Sequence, residues 1–271
     1  MSNQATTSNS VGLDIDRRGV ATVTLNNPLK HNAFDDLIIA QLTTVFSQIN
    51  TDQKVKLMVL AANGKNFSAG GDLNWMKRMV GFSYNENLAD AKKLALMLQT
   101  LNTLSMPTIA RVQGAAFGGA VGLVSCCDMA VASSSASFCL SEVKVGIAPA
   151  TISPYVVAAI GARASRRYFL TAERFSADTA KSLGLVSEVA SAEQLDSEIE
   201  KFVLALLANS PNAIRASKQL IEQVEHRSID QQLMNHTSEV IARLRVSEQG
   251  QEGLNAFFEK RSPHWQSSSP E

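Results

Sequence analysis

The chain has 271 residues, 45% apolar and 18% charged, enough for one large domain with a real core. Its 25 Lys and Arg balance its 25 Asp and Glu, so the net charge is zero and the basic excess of a duplex nucleic-acid binder is missing. Three cysteines, Cys126, Cys127 and Cys139, make neither a disulfide framework nor a metal-ligand spacing, which fits a reduced, cytoplasmic setting. The polar start MSNQATTSNS is not a signal peptide, and residues 1–10 read as a disordered tail. The segment VGLDIDRRGVATVTLNNP (11–28) alternates about a turn at Arg18-Gly19 and predicts a β-hairpin. NAFDDLIIAQLTTVFSQIN (32–50) has helical spacing, with Asn32 as the expected N-cap. VKLMVLAA (55–62) reads as a buried strand, followed by the Gly-rich loop NGKNFSAGGDL (63–73). LADAKKLALMLQTLNTLS (88–105) is an amphipathic helix that stops before Pro107, and residues 107–134 read as strand, Gly-rich turn, buried helix, strand. The uncharged, Gly-rich stretch Val112 to Cys127 is too short and too small in side chain to span a bilayer. Recurring strand–loop–helix units predict an α/β domain; after about residue 190 only helical patterns remain, and the last residues, 266–271, read as a second disordered tail.

Two Gly-rich turns carry the first chemical signal. FSAGGDL (67–73) follows a strand, and QGAAFGGA (113–120) precedes a helix. Glycine lets backbone N–H groups approach a ligand closely, and a helix N-terminus adds free N–H groups and partial positive charge. Two such N–H groups aimed at one oxygen make an oxyanion hole, suited to carbonyl compounds that react through an enolate or tetrahedral anion. Neither turn has the spacing of a dinucleotide or phosphate loop.

NFSAGGDL, then QGAAFGGAVGLVSCCDMAVAS, then ASFCLSEVKVGIAPATISPYV, with the opening GVATVTLNNPLKHNAF and the closing GLNAFFEKR, resembles the enoyl-CoA hydratase/isomerase (crotonase) superfamily over about residues 11–262. The resemblance implies an α/β spiral of repeated ββα units over 11–195 and a C-terminal helical region over 196–262 that mediates trimers, which commonly pair into hexamers. It places the oxyanion-hole amides at Gly71 and Gly119, around the thioester oxygen of an acyl-CoA. Ala69, Asp72 and Leu73 match the contacts to adenine and pantetheine, and Lys30 and Ala33 match the family's other CoA-contacting loop. Phe257 and Lys260 match C-terminal residues that reach CoA, often that of a neighbouring subunit. No cofactor is implied beyond the CoA of the substrate, and neither nucleic acid nor membrane is an implied partner.

Of the two glutamates that such hydratases usually carry, the one that handles the proton at C2 matches Glu142 in FCLSEVKVGI. Its apolar flanks predict a partly desolvated carboxylate with a raised pKa. The water-activating glutamate falls at Gly122, which cannot transfer a proton. Two enzymatic readings follow: a Δ3,Δ2-enoyl-CoA isomerase with Glu142 as sole base, or a hydratase. The helix and strand text, with RRYFLTAERF (166–175), is similar to bacterial methylglutaconyl-CoA hydratases of leucine breakdown and to branched-glutaconyl hydratases of acyclic terpene breakdown, and that resemblance carries glycine at this position. Such a substrate bears a second carboxylate, for which Lys144, Arg166, Arg167, Ser141 and Ser153 are candidate partners by type. A binding protein without catalysis is the third reading. The pair Cys126-Cys127 reads as core of the buried helix.

Overall fold

Alternating burial along Val11–Ile15 (β1) and Val20–Leu25 (β2) closes the expected hairpin, with Val11 opposite Leu25 and Ile15 opposite Ala21. The computed structural model describes residues 10–266. Residues 1–9 and 267–271, which hold most of the two predicted tails, lie outside the described residues. The tail residues that are described, Ser10 and Gln266, are both hydrogen-bonded: Ser10 O accepts from Asn26 N, and Gln266 Nε2 donates to Ala208 O.

The single-turn 3-10 helix Pro28–Lys30 leads to α1 (Asp36–Thr51), whose buried face is Ile38, Ile39, Leu42, Phe46 and Ile49. Asp35, not Asn32, caps α1, its side chain accepting from Ile38 N. Asn32 is buried at φ 53° and staples loops instead. Its Oδ1 accepts from Asn27 N, and its Nδ2 donates to Asn63 O and Asn66 O, each bond at 2.8–2.9 Å. Asparagine tolerates this left-handed backbone better than most residues, so both conformation and side chain select it.

Strand β3 (Leu57–Ala62) is followed by α2 (Leu73–Met79) and α3 (Tyr84–Asn102). α3 starts four residues earlier than its hydrophobic periodicity suggested, because Ser83 and Glu86 form a capping box. Next come β4 (Thr108–Val112), β5 (Ala115–Phe117), α4 (Gly119–Cys126), β6 (Met129–Ser133) and β7 (Ser137–Cys139). A 3-10 turn, Glu142–Val145, precedes α5 (Ser153–Thr171), β8 (Phe175–Ser176), α6 (Ala177–Leu183) and β9 (Glu188–Ala190). Four helices finish the chain: α7 (Leu195–Leu207), α8 (Pro211–Val224), α9 (Gln231–Val246) and α10 (Glu248–Glu259).

The strands form a six-stranded sheet, β1-β2-β3-β4-β6-β9, parallel except for the hairpin, and a small sheet, β5-β7-β8. Each successive unit gives its first strand to the large sheet and its second to a short ladder beside it. Isolated bridges, Phe34 to Gly71 and Ser68 to Ala116, extend that ladder back through the first two units. This is a spiral of ββα units. The main core lies between the large sheet and α1, α3, α4 and α5, around Phe46, Phe67, Met97, Leu98 and Phe138. The other sheet face holds α7, where Leu195, Ile199 and Val203 pack on Val20, Leu57, Val59, Ile109 and Val131. The expected helical-region boundary at 196 thus falls inside a helix packed on the sheet. No helix among the described residues is long and apolar enough to cross a membrane.

Replacing Asn32 with Ala removes the shared partner of Asn27 N, Asn63 O and Asn66 O and leaves these part-buried backbone groups without it. The expected loss is about 1–3 kcal/mol of stability, read from urea unfolding; an unchanged midpoint would show that water substitutes fully for the side chain.

Candidate active site

The short ladder sets the position of both glycine turns. Phe34 N donates to Gly70 O, and Asp72 N donates to Phe34 O, each at 2.7 Å. In a parallel bridge of this kind Gly71 turns its own N–H away from Phe34, and no acceptor in the described residues takes it. On the other flank Ser68 N donates to Ala115 O and Phe117 N to Ser68 O. The two turns are so close that a Cβ on Gly70, which has φ 95°, would lie 3.2 Å from Phe117 O. The chain then passes Gly118 at φ 54° and enters α4 at Gly119. Gly118 has no side chain to cap α4, so the N–H of Gly119, at the helix start, has no partner within the helix. Two glycine N–H groups on adjacent segments, one at a helix N-terminus, can hold one developing oxyanion.

The carboxylate arrives through the same ladder. Phe117 is registered against Cys139, and Gly118 N donates to Cys139 O at 2.8 Å. Three residues beyond Cys139, Glu142 opens its 3-10 turn and lays its side chain over the glycine: a Cβ on Gly118 would sit 3.1 Å from Glu142 Oε1. The other oxygen, Oε2, is buried without a hydrogen-bond partner among the described residues. Burial is therefore the main influence and raises the Glu142 pKa, with its own backbone N–H offsetting part of the rise. A largely desolvated carboxylate over the glycine that opens α4 is equipped to accept and return a proton.

Gly122 lies one turn further along α4, and its place is filled. A Cβ there would lie 2.9 Å from Ile152 Cβ, closer still to Ile152 Cγ2, and 3.4 Å from Leu98 Cδ2. Ile152, at the N-cap of α5, is 1% exposed. The absent carboxylate is thus replaced by a buried isoleucine from another segment, a partner that the sequence motifs did not single out.

The remaining expected residues divide. Asp72 is buried, caps α2 through Asn74 N and Trp75 N, and pairs with Lys30 Nζ at 3.2 Å. Burial alone would raise its carboxyl, but hydrogen bonds from Trp75 N, Lys30 and Asn74 N outweigh that and hold it below the ordinary range. Its side chain is therefore committed within the loop. Ala69 and Leu73 are exposed beside it, and Ala69 N donates to His31 O, which joins this loop to the Lys30–Ala33 segment. Phe257 and Phe258 stand 77% and 74% exposed on α10, which packs on α8 and α9, and Lys260 closes α10 in a left-handed conformation. Among the candidates for a distal carboxylate, Arg167 is engaged by Glu173 at 2.6 and 3.1 Å, and Ser153 Oγ by Ala150 O. Ser141 is half-buried just before Glu142, while Lys144 and Arg166 are exposed. Cys126 is buried and Cys127 half-buried at the end of α4, and burial pushes both thiols up, away from reactivity. A cleft of about 840 Å³ on the α7 side of the sheet, lined by Asp16, Arg18, Arg111 and Asp196 among others, contains none of the glycine amides nor Glu142. Within it Arg18 pairs with Asp16 and Glu200, and Arg111 with Asp196.

The spiral of ββα units, with two glycine amides and the half-buried Glu142 brought together on one ladder, is the framework of an enzyme. The enoyl-CoA hydratase/isomerase family matches residues 16–268, and the chain belongs to it. A crystal structure of an enoyl-CoA hydratase from Shewanella pealeana superimposes with a TM-score of 0.91 at 50% identity, covering 94% of this chain and 96% of that one. The short-chain-enoyl-CoA hydratase of Clostridium acetobutylicum is 30% identical over 89% of this chain and 92% of its own length. The mitochondrial Δ(3,5)-Δ(2,4)-dienoyl-CoA isomerase of Dictyostelium discoideum is equally similar, at 30% over 90% and 86%. The fold is the crotonase fold; kinship alone covers both hydration and isomerisation.

Two outcomes follow from this packing. Gly122→Glu forces a side chain into Ile152 and should cost about 1–3 kcal/mol or more, read from chemical denaturation; a fully stable variant would mean that α5 yields easily. Glu142→Gln should raise the melting temperature at neutral pH. A carboxyl whose folded pKa is raised costs stability as pH rises through its unfolded value, so the difference from wild type should shrink as pH falls toward the ordinary glutamate value of 4.5. Equal melting temperatures at every pH would show that the Glu142 carboxylate is well solvated.

Proposed function

We propose that this protein adds water across the C2=C3 bond of an enoyl-CoA, with 3-methylglutaconyl-CoA, giving 3-hydroxy-3-methylglutaryl-CoA, as its best substrate. The observation that carries the reading is Glu142, a half-buried carboxylate with Oε1 over Gly118 and a buried Oε2 that has no partner among the described residues. The thioester oxygen accepts the N–H groups of Gly71 and Gly119. As hydroxide forms from a water and bonds to C3, its proton passes to Glu142, and the electron pair of the double bond moves into the thioester as an enolate. The same carboxyl then returns the proton to C2, so one carboxylate serves as base and acid in turn. Gly71 and Gly119 stabilise the charge between the two steps.

The CoA moiety runs along the Lys30–Ala33 and Ala69–Leu73 segments. The exposed Phe257 and Phe258 suit contact with a second copy, in keeping with a homotrimer or hexamer in which α10 and Lys260 reach a neighbour's CoA. The location is cytoplasmic. The second reading, a Δ3,Δ2-enoyl-CoA isomerase, draws on the same solitary carboxylate, because one base can remove a proton at C2 and return it at C4.

The test is a parallel assay of 3-methylglutaconyl-CoA, crotonyl-CoA and a 3-enoyl-CoA in oxygen-18 water. Label in a 3-hydroxyacyl product from the branched ester is expected. Conversion of the 3-enoyl to the 2-enoyl ester without label would replace hydration by isomerisation. Glu142→Gln should lower turnover at least about 100-fold in either case. In wild type, kcat/KM should fall on the acid side at a pH above the ordinary glutamate value, because burial raises the base. Full activity of the Gln variant would remove Glu142 from the mechanism.

A further inference from the structure

We propose that Ile152 is the residue that closes the acyl end of this site and restricts it to short acyl groups. The inference rests on the reading above, in that the thioester oxygen sits at Gly119 and the reacting carbons lie beside Glu142.

The segment between β7 and α5 makes two contacts with α4. Glu142 lies over Gly118 and Ile152 lies over Gly122, one helical turn further in. At 1.5 Å per residue that separation is about 6 Å along the helix. An acyl chain that leaves the glycine amides and runs past Glu142 along α4 therefore meets the Ile152 side chain next. Leu98, which flanks the same Gly122 position, is fully buried in the one core cluster that also holds Val121, Leu123 and Val156, and Ile152 is 1% exposed. Had position 122 carried a carboxylate, Ile152 could not occupy this place, because even a Cβ would overlap it. Loss of the second carboxylate and closure of the acyl end are thus one change in packing, made by a glycine on α4 and an isoleucine on α5.

The measurement is the chain-length profile of 2-enoyl-CoA esters of four, six, eight and ten carbons, for wild type, Ile152→Val and Ile152→Ala, with thermal unfolding recorded for each. Wild type should lose kcat/KM steeply beyond the short esters. The Ala variant, although less stable, should raise the ratio of the eight-carbon to the four-carbon ester at least about tenfold, the lower range for methylene-sized changes in an apolar pocket. Most of the gain should appear in KM, and the Val variant should shift the six-carbon ratio in the same direction. A ratio unchanged in the folded variants would reduce Ile152 to core packing. So would a wild type that handles the ten-carbon ester as well as the four-carbon one. If the Ala variant does not fold, the Val variant and the six-carbon ester decide. If wild type hydrates none of the esters but isomerises 3-enoyl esters, the hydratase reading falls, and the same length series run on 3-enoyl esters still tests Ile152.

Discussion

One backbone hydrogen bond, from Gly118 N to Cys139 O at 2.8 Å, joins the two halves of the site. It continues the parallel pairing of β5 with β7 by one residue, and it sets the start of α4 against the strand that delivers Glu142. Upstream, the Ser68–Ala116 and Phe34–Gly71 bridges place the other glycine amide on the same ladder. The two glycine amides and the start of the Glu142 turn are therefore positioned by main chain, with the side chains contributing little to the alignment. Backbone pairing is rigid over such short spans, and a preorganised donor costs no reorganisation when charge develops. The glycines belong to this arrangement: Gly70 and Gly118 have positive φ where the two segments approach each other and the carboxylate most closely.

Much of the fold was legible because its signals are local. The hairpin about Gly19, the buried strand at 57–62 and the buried helix after the second glycine turn all follow from apolar period and turn residues. The misplaced cap shows the limit. Asn32 and Asp35 are both good capping residues, and only the tertiary need for a side chain linking three loops decides which one leaves the helix. Strand β5 was read as turn because it is three residues long and pairs only with distant segments. The short helix α2 was hidden for a similar reason, since Asp72 defines it by capping rather than by periodicity.

At the site, motif text located the glycine amides and Glu142, and its apolar flanks anticipated the direction of the pKa shift. Gly122 was visible as a missing carboxylate, but its cause was not. The explanation lies thirty residues away by chain, in Ile152, and an isoleucine in an apolar run carries no signal that separates it from ordinary core. Only the geometry shows that the two positions exclude one another. Charged residues were equally hard to rank by type alone. Arg167, a reasonable partner for a distal carboxylate by sequence, is bound to Glu173, while Asp72 turns out to be a cap tied to Lys30.

The Gly122–Ile152 exchange also bears on how one fold serves two reactions. A side chain at position 122 on α4 and Ile152 at the start of α5 compete for one volume, so this chain cannot hold a carboxylate there without moving α5. The two choices have different electrostatic costs. A second carboxylate would lie near Glu142 in low dielectric, where like charges oppose joint ionisation and demand polar partners. An isoleucine removes that repulsion and leaves burial as the principal influence on Glu142. The remaining carboxylate then keeps its raised pKa without a charged neighbour to tune it, and its Oε2 has no partner among the described residues.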